Sequence, residues 1–279
     1  RNGLPLPLPC KFKALVMKNL IVLGAGTAGT MMVNHLKKKL NKKEWQMTIV
    51  DQYKTHYYQP GFLFMPFGTY TEKDVVKQKK DFIPTGVNYI QEKIDRIDAE
   101  NNQVKLDNGV SLNYDILIVA TGTKIDPSET EGMDGALWHK DVFDFYTFEG
   151  AKALYQKLKD WEGGKMVVHF TEMPIKCPVA PLEFVFLADS FFRKKGMRDK
   201  VELEYVTPLG GAFTKPQATK ELSYLLEEKN INVVTDFNIE RVDNEKKQIV
   251  DYGDNTVDFD LLVTVPTNVG DEMIERSGM

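Results

Sequence analysis

The sequence predicts an α/β chain of two doubly wound units, each a parallel sheet flanked by helices. Three observations carry that expectation. Short apolar runs alternate with longer segments of helical periodicity through both halves of the chain. A glycine-rich turn, GAGTAG at 24–29, joins the first apolar run to the first helical segment. Finally, 279 residues with 42% apolar and 27% charged content suit one large domain or two smaller ones with a substantial core.

Taken in order, residues 1–16 (RNGLPLPLPCKFKALV) lack the apolar centre of a signal peptide. They read as a non-native leader before a start at Met17, which leaves Cys10 outside the chemistry. The run 20–23 is a strand ending in Gly24-x-Gly26-x-x-Gly29, with Thr27 and Ala28 inside the motif. A helix follows, with Met32, Leu36 and Leu40 expected on one face and lysines on the other. MTIVD is the second strand and ends in Asp51, an acid at the spacing of about 20 residues that the dinucleotide fingerprint requires. Gly24 permits the tight turn, Gly26 lets backbone approach a pyrophosphate, and Gly29 lets helix and strand pack closely. The helix N-terminus faces the phosphates, and Asp51 would accept from ribose hydroxyls. Strands then follow to about residue 120, with a hairpin turn at Asp107-Asn108-Gly109. The last of them leads into Ala120-Thr121-Gly122.

YDILIVATG together with GAGTAGT resembles the flavoproteins with two dinucleotide-binding domains of the Rossmann-like, FAD/NAD(P)-binding type. That resemblance implies FAD at the first site, with 120–122 helping to hold it. It also implies that the aromatic segment HYYQPGFLFMPFG at 56–68 runs past the flavin, with Pro60 at a contact position. A packed loop is the alternative reading of that segment. The expected domains are 17–124 for FAD, 125–266 for a second Rossmann-like unit, and 267–279 for the start of a return to the first.

In the second unit KMVVHF is a strand, PLEFVFLADSFFRKKGM a helix stopped at Gly196, and VELEYVTP the next strand. A second glycine cradle belongs between the first of these strands and its helix. No glycine occurs from His169 to Ser190, so a nicotinamide pyrophosphate has no such seat there. The place is taken by KCPVAPLEF at 176–184. Pro178 and Pro181 suit the approach to a helix starting near Ala180, which puts Cys177 just outside a helix N-terminus, where a thiolate is favoured. Without further information a buried structural cysteine is the plainer reading of Cys177, and a first-turn glutamate facing the helix dipole the plainer reading of Glu183.

CPVAPLEF resembles the CPxAPxE-type box of sulfide:quinone oxidoreductases and the related flavocytochrome sulfide dehydrogenases, a likeness running from about Lys18 to Pro266. It implies that Cys177 is redox-active beside the flavin, that Glu183 handles protons, and that electrons pass from sulfide through FAD to a quinone. The partners so implied are sulfide, quinone and a membrane surface reached through a C-terminal region outside this chain. A homo-oligomer stays open. The sequence also departs from the family. The neighbourhood LWHKDVFDFYTFEGAK lacks a further cysteine, and His139 is displaced from the family's histidine. The box cysteine's partner and a second flavin-binding segment fall beyond residue 279, and VGDEM at 269–273 follows the return strand too closely to be that segment. The expectation is therefore a truncated enzyme. A type II NADH:quinone reductase and a non-catalytic nucleotide- or partner-binding module are the alternatives.

A net charge of −4 gives no general reason to expect nucleic acid. Two cysteines make no disulfide framework, and the four histidines have no metal-ligand spacing. No apolar run is long enough to span a bilayer, so a cytoplasmic or peripheral-membrane location is expected. KKKLNKK and RKK read as solvated helix ends.

Overall fold

The computed structural model describes residues 17–279. The leader expected over 1–16, and Cys10 within it, lie outside the described residues. The rest divides into two interleaved compact units. One holds 17–54, 78–121 and 272–279, and the other holds 55–77 and 122–271.

In the first unit β1 (Lys18–Leu23) leads through the glycine turn into α1 (Thr27–Lys37), and β2 (Trp45–Val50) pairs parallel to β1. With β3 (Asn88–Ile90) and β7 (Ile116–Val119) they form a parallel sheet of order β3-β2-β1-β7. Strands β4 (Ile94–Asp98), β5 (Gln103–Leu106) and β6 (Ser111–Asn113) make an antiparallel meander. Its second turn is the predicted one, closed by Leu106 N–H donating to Val110 O at 2.8 Å, with Gly109 at φ +84°. Alternation along β1 builds two cores. Leu20 and Val22 pack with Val33 on the α1 side, while Ile21 and Leu23 pack with Ile97, Val104 and Met273 on the meander side.

The inward face of α1 differs from the expected one. Gly29, Thr30 and Val33 are buried and Leu36 and Leu40 pack on the same core as expected, although Leu40 lies beyond the helix end, whereas Met32 is 37% exposed. The cause is Gly29. A Cβ there would collide with the Gly24 carbonyl, so the helix presses on the sheet at that residue. The face centred on it carries i+4 and i+7, which are Val33 and Leu36, and turns Met32 outward.

In the second unit the sheet contains β8 (Val142–Phe143), β9 (Gly164–Phe170), β10 (Val201–Val206), β11 (Ile231–Val234) and β12 (Leu261–Val265). Its order is β8-β12-β9-β10-β11, all parallel. The crossovers include α3 (Ala180–Lys194) from β9 to β10 and α4 (Pro216–Glu228) from β10 to β11, while α2 (Phe148–Asp160) precedes β9. Met166, Val168 and Phe170 of β9 face the core with α2 and α3. Val167 faces Phe237, Ile239 and Ile249 on the other side, where a three-stranded antiparallel sheet covers the first. Gly196, at φ +66°, stops α3 as expected.

The RKK cluster that ends α3 is more than a solvated end. Asp189, only 1% exposed, receives Arg193 Nε at 2.9 Å and Arg198 Nε at 2.8 Å. Arg198 also donates to the carbonyls of Val201, Lys229 and Asn230, tying α3 to the start of β10 and the end of α4. Lys195 Nζ donates to Leu158 O at the end of α2.

Candidate functional site

The residues singled out from sequence fall in both units, and each group is coherent within its own. In the first unit the turn after β1 is pinned by Gly24 N–H to Val50 O (2.8 Å) and by Ala25 N–H to Asp51 Oδ2 (2.7 Å). Gly24 adopts φ +92°, and a Cβ on it would strike the Ala120 carbonyl and crowd Thr121 Cα. Ala120 itself joins the ladder through its N–H to Leu23 O at 2.7 Å. Gly24, Gly29, Asp51, Ala120 and Thr121 are thus brought together by backbone contacts that only a small residue at 24 and 29 allows.

Gly26 is different. A Cβ there would meet nothing within 4 Å. It caps α1 with no side-chain hydrogen bond, Thr27 and Ala28 beside it are exposed, and the first turn of α1 carries no acid. First-turn N–H groups have no partner within a helix. Open space, free donors and the positive end of the helix dipole together fit a diphosphate.

Asp51 lies where expected, at the end of β2, but its carboxylate already has protein partners. Oδ2 accepts from Ala25 N–H and from Lys79 Nζ at 2.5 Å, and Oδ1 accepts from Tyr53 N–H at 2.8 Å. The side chains of Lys79 and Asp51 are only 8% and 10% exposed. Sequence reading missed Lys79, because nothing within the run KQKK separates one lysine from the next.

In the second unit the box occupies the crossover between β9 and α3. Pro181 lies in the first turn of α3, and Cys177 is partly exposed, resting on the core beneath that helix. Its carbonyl accepts from Ala180 N–H (3.2 Å) and from the Tyr146 hydroxyl (2.8 Å). Burial, and after it the neighbouring Cys177, push the Tyr146 phenol above its ordinary range, so it remains a donor across physiological pH. Glu183 is exposed on the first turn of α3, and no hydrogen bond links it to Cys177.

Lys176 gathers three segments at the box. Its Nζ donates to Gln59 Oε1 at 3.2 Å and to Thr123 O at 3.0 Å. Pro60 is therefore adjacent to a residue held by the box, and is itself exposed at the start of a 3-10 turn, Gln59–Leu63. Part of that aromatic segment is core: Phe62 and Met65 are buried, and Phe67 packs on Phe184 at 5.0 Å between ring centroids, while Tyr58 is exposed. Gly122, at φ +78°, has open space around it. His139 is committed elsewhere, with Nε2 at 3.2 Å from the buried Asp144 and its ring stacked on Trp138. Among the described residues no group of three His, Cys, Asp or Glu is arranged to hold a metal.

The family model for the pyridine nucleotide-disulphide oxidoreductases matches residues 18–169, more than half of the chain. The chain is 26% identical to a mitochondrial sulfide:quinone oxidoreductase of Dictyostelium discoideum over 271 residues, covering 96% of this chain and 60% of that protein. It is 32% identical to a type II NADH:quinone oxidoreductase of Staphylococcus haemolyticus, over 145 residues only, 51% of this chain and 34% of the other. Among solved structures, the sulfide:quinone oxidoreductase of Aquifex aeolicus superposes with a TM-score of 0.80 at 21% identity, covering 94% of this chain and 61% of that one. The chain thus spans about 60% of the length of the sulfide:quinone oxidoreductases it matches.

Proposed function

The chain belongs to the pyridine nucleotide-disulphide oxidoreductase family, and we propose that it is the nucleotide-binding and cysteine-bearing part of a FAD-dependent sulfide:quinone oxidoreductase. One observation carries the choice within the family: the β9-to-α3 crossover, where a doubly wound unit would seat a dinucleotide, has no glycine and presents Cys177 instead. The likeness to sulfide:quinone oxidoreductases runs through that box, since it covers 96% of the chain, whereas the likeness to the NADH-using enzyme covers about half.

In this reading Gly24, Gly26, Thr27, Ala28, Gly29 and Asp51 hold the ADP half of FAD, and the family resemblance adds Ala120, Thr121, Gly122 and Pro60 as further candidate cofactor contacts. Bound FAD supplies a two-electron acceptor. Cys177 offers the sulfur that would bond to the sulfur of sulfide, and the two electrons released in forming that S–S bond would go to the acceptor that FAD supplies, with the protons going to solvent. Tyr146 fixes the cysteine's backbone, and Lys176 holds the box to the loop around Pro60. Glu183, exposed at the start of α3, exchanges protons with solvent near the thiol. Quinone is the final acceptor and lies in a membrane. The proposed contact is peripheral; no helix among the described residues is long and apolar enough to cross a membrane.

The test is Cys177→Ser in a full-length, FAD-loaded version of the protein. Sulfide-dependent reduction of the flavin should slow by about two orders of magnitude, with flavin content unchanged. A variant that reduces at the wild-type rate removes Cys177 from the reaction.

A further inference from the structure

The Asp51–Lys79 pair carries an inference that rests on the nucleotide-binding reading and deepens it. A carboxylate has about four acceptor sites. Three of Asp51's are already engaged, by Ala25 N–H and Lys79 Nζ on Oδ2 and by Tyr53 N–H on Oδ1. That leaves one for a ligand. A ribose presents two adjacent hydroxyls, each both donor and acceptor, so Asp51 alone cannot satisfy the diol.

Lys79 has the complementary shortage. Its ammonium has three N–H donors. Asp51 is its only oxygen partner among the described residues, and the remaining neighbour is the Tyr53 ring at 5.6 Å from Nζ to centroid. The backbone fixes it in place, since Lys79 N–H donates to Lys54 O at 2.8 Å, close beyond the end of β2. A nearly buried ammonium with donors to spare thus lies against a nearly buried carboxylate with one acceptor site to spare.

We infer that Lys79 is a specificity-determining residue that reads the ribose diol jointly with Asp51. One hydroxyl donates to Asp51 Oδ1 while a hydroxyl oxygen accepts from Lys79 Nζ. The pair is a donor–acceptor unit matched to a vicinal diol, and a sugar lacking those hydroxyls leaves both charges under-bonded in a dry site.

The experiment is calorimetric titration of the 279-residue chain, freed of any nucleotide it purifies with, using ADP and 2′,3′-dideoxy-ADP. The wild type should prefer ADP by about tenfold or more, and Lys79→Met should raise the Kd for ADP about tenfold while changing that for the dideoxy nucleotide less than about threefold. Lys79→Gln, which keeps a neutral amide donor against Asp51, decides the matter if Lys79→Met does not unfold cooperatively, and it should also lose most of the preference. Equal binding of the two nucleotides by the wild type, or an unchanged preference in the folded variants, overturns the role of Lys79 and leaves the nucleotide site standing. Failure of the wild type to bind either nucleotide overturns both.

Discussion

A Cβ at Gly26 would meet nothing in the protein, whereas at Gly29 it would run into the backbone of Gly24. The same motif therefore mixes a glycine facing open space, proposed to meet the ligand, with a packing glycine, and substitution separates them. Gly26→Ala should keep stability within about 1 kcal/mol of wild type, since Gly26 already has φ −75°, yet weaken ADP binding at least about tenfold. Gly29→Ala should lose both, with a thermal midpoint clearly below that of Gly26→Ala. A stable Gly29→Ala, or a Gly26→Ala that binds normally, would contradict the assignment. His169 is a second residue with a testable burden. It is fully buried, with Nδ1 at 2.9 Å from Thr264 Oγ1 and no partner for Nε2, and burial pushes it down to about 3. The unfolded chain takes up the proton first, near pH 6.5, so the stability tied to neutral His169 is complete above that and is lost as pH falls toward 3. Relative to His169→Gln, wild type should lose about 2 kcal/mol of unfolding free energy between pH 7.5 and 5, at a limit of about 1.4 kcal/mol per pH unit. Urea titrations at the two pH values check this, and parallel curves would show that His169 titrates normally. The glycines were readable in the sequence because their spacing is local. Lys79 was not, because its partner Asp51 is distant in the chain and ion pairing between them leaves no local pattern.

The elements that position the box are held by hydrogen bonds that periodicity does not reveal. Hydrophobic alternation located β1, β2, β9 and β10, and the Pro178–Pro181 pattern with Gly196 bracketed α3 correctly. The inner face of α1 was misread because Met32 is apolar, while the helix is positioned by a residue without a side chain, Gly29. Likewise the RKK run read only as a solvated helix end, yet Arg193 pairs with buried Asp189, which with Arg198 locks α3 to its neighbours. Removing one member of such a buried pair strands the other. Asp189→Asn should therefore cost about 3 kcal/mol in chemical denaturation, and a cost below about 1 kcal/mol would demote the cluster to the surface class. Tyr146→Phe makes a milder test. It removes one of two donors to the Cys177 carbonyl and should cost about 1 kcal/mol, without unfolding the chain.

At the scale of the molecule the chain leaves the first compact unit after Lys54, contributes 55–77 to the second, and returns to the first at Gln78. Sequence reading placed the aromatic stretch 56–68 with the first domain because it follows Asp51 directly. Packing gives it to the second, through Phe67 on Phe184 and Phe62 among its neighbours. The strands and helices flanking the glycine turn and the Cys177 box were legible, as was the lack of glycine between His169 and Ser190, because both depend on local pattern; the helix α2 was not anticipated. In the proposed function, electrons enter through sulfur at Cys177 rather than through a nicotinamide. The direct measurement is the visible flavin band of a full-length, FAD-loaded version of the protein under anaerobic conditions, with sulfide and NADH added separately. Sulfide should bleach the band, NADH should leave it unchanged, and Cys177→Ser should no longer respond to sulfide. A band bleached by NADH and untouched by sulfide would contradict the proposed function.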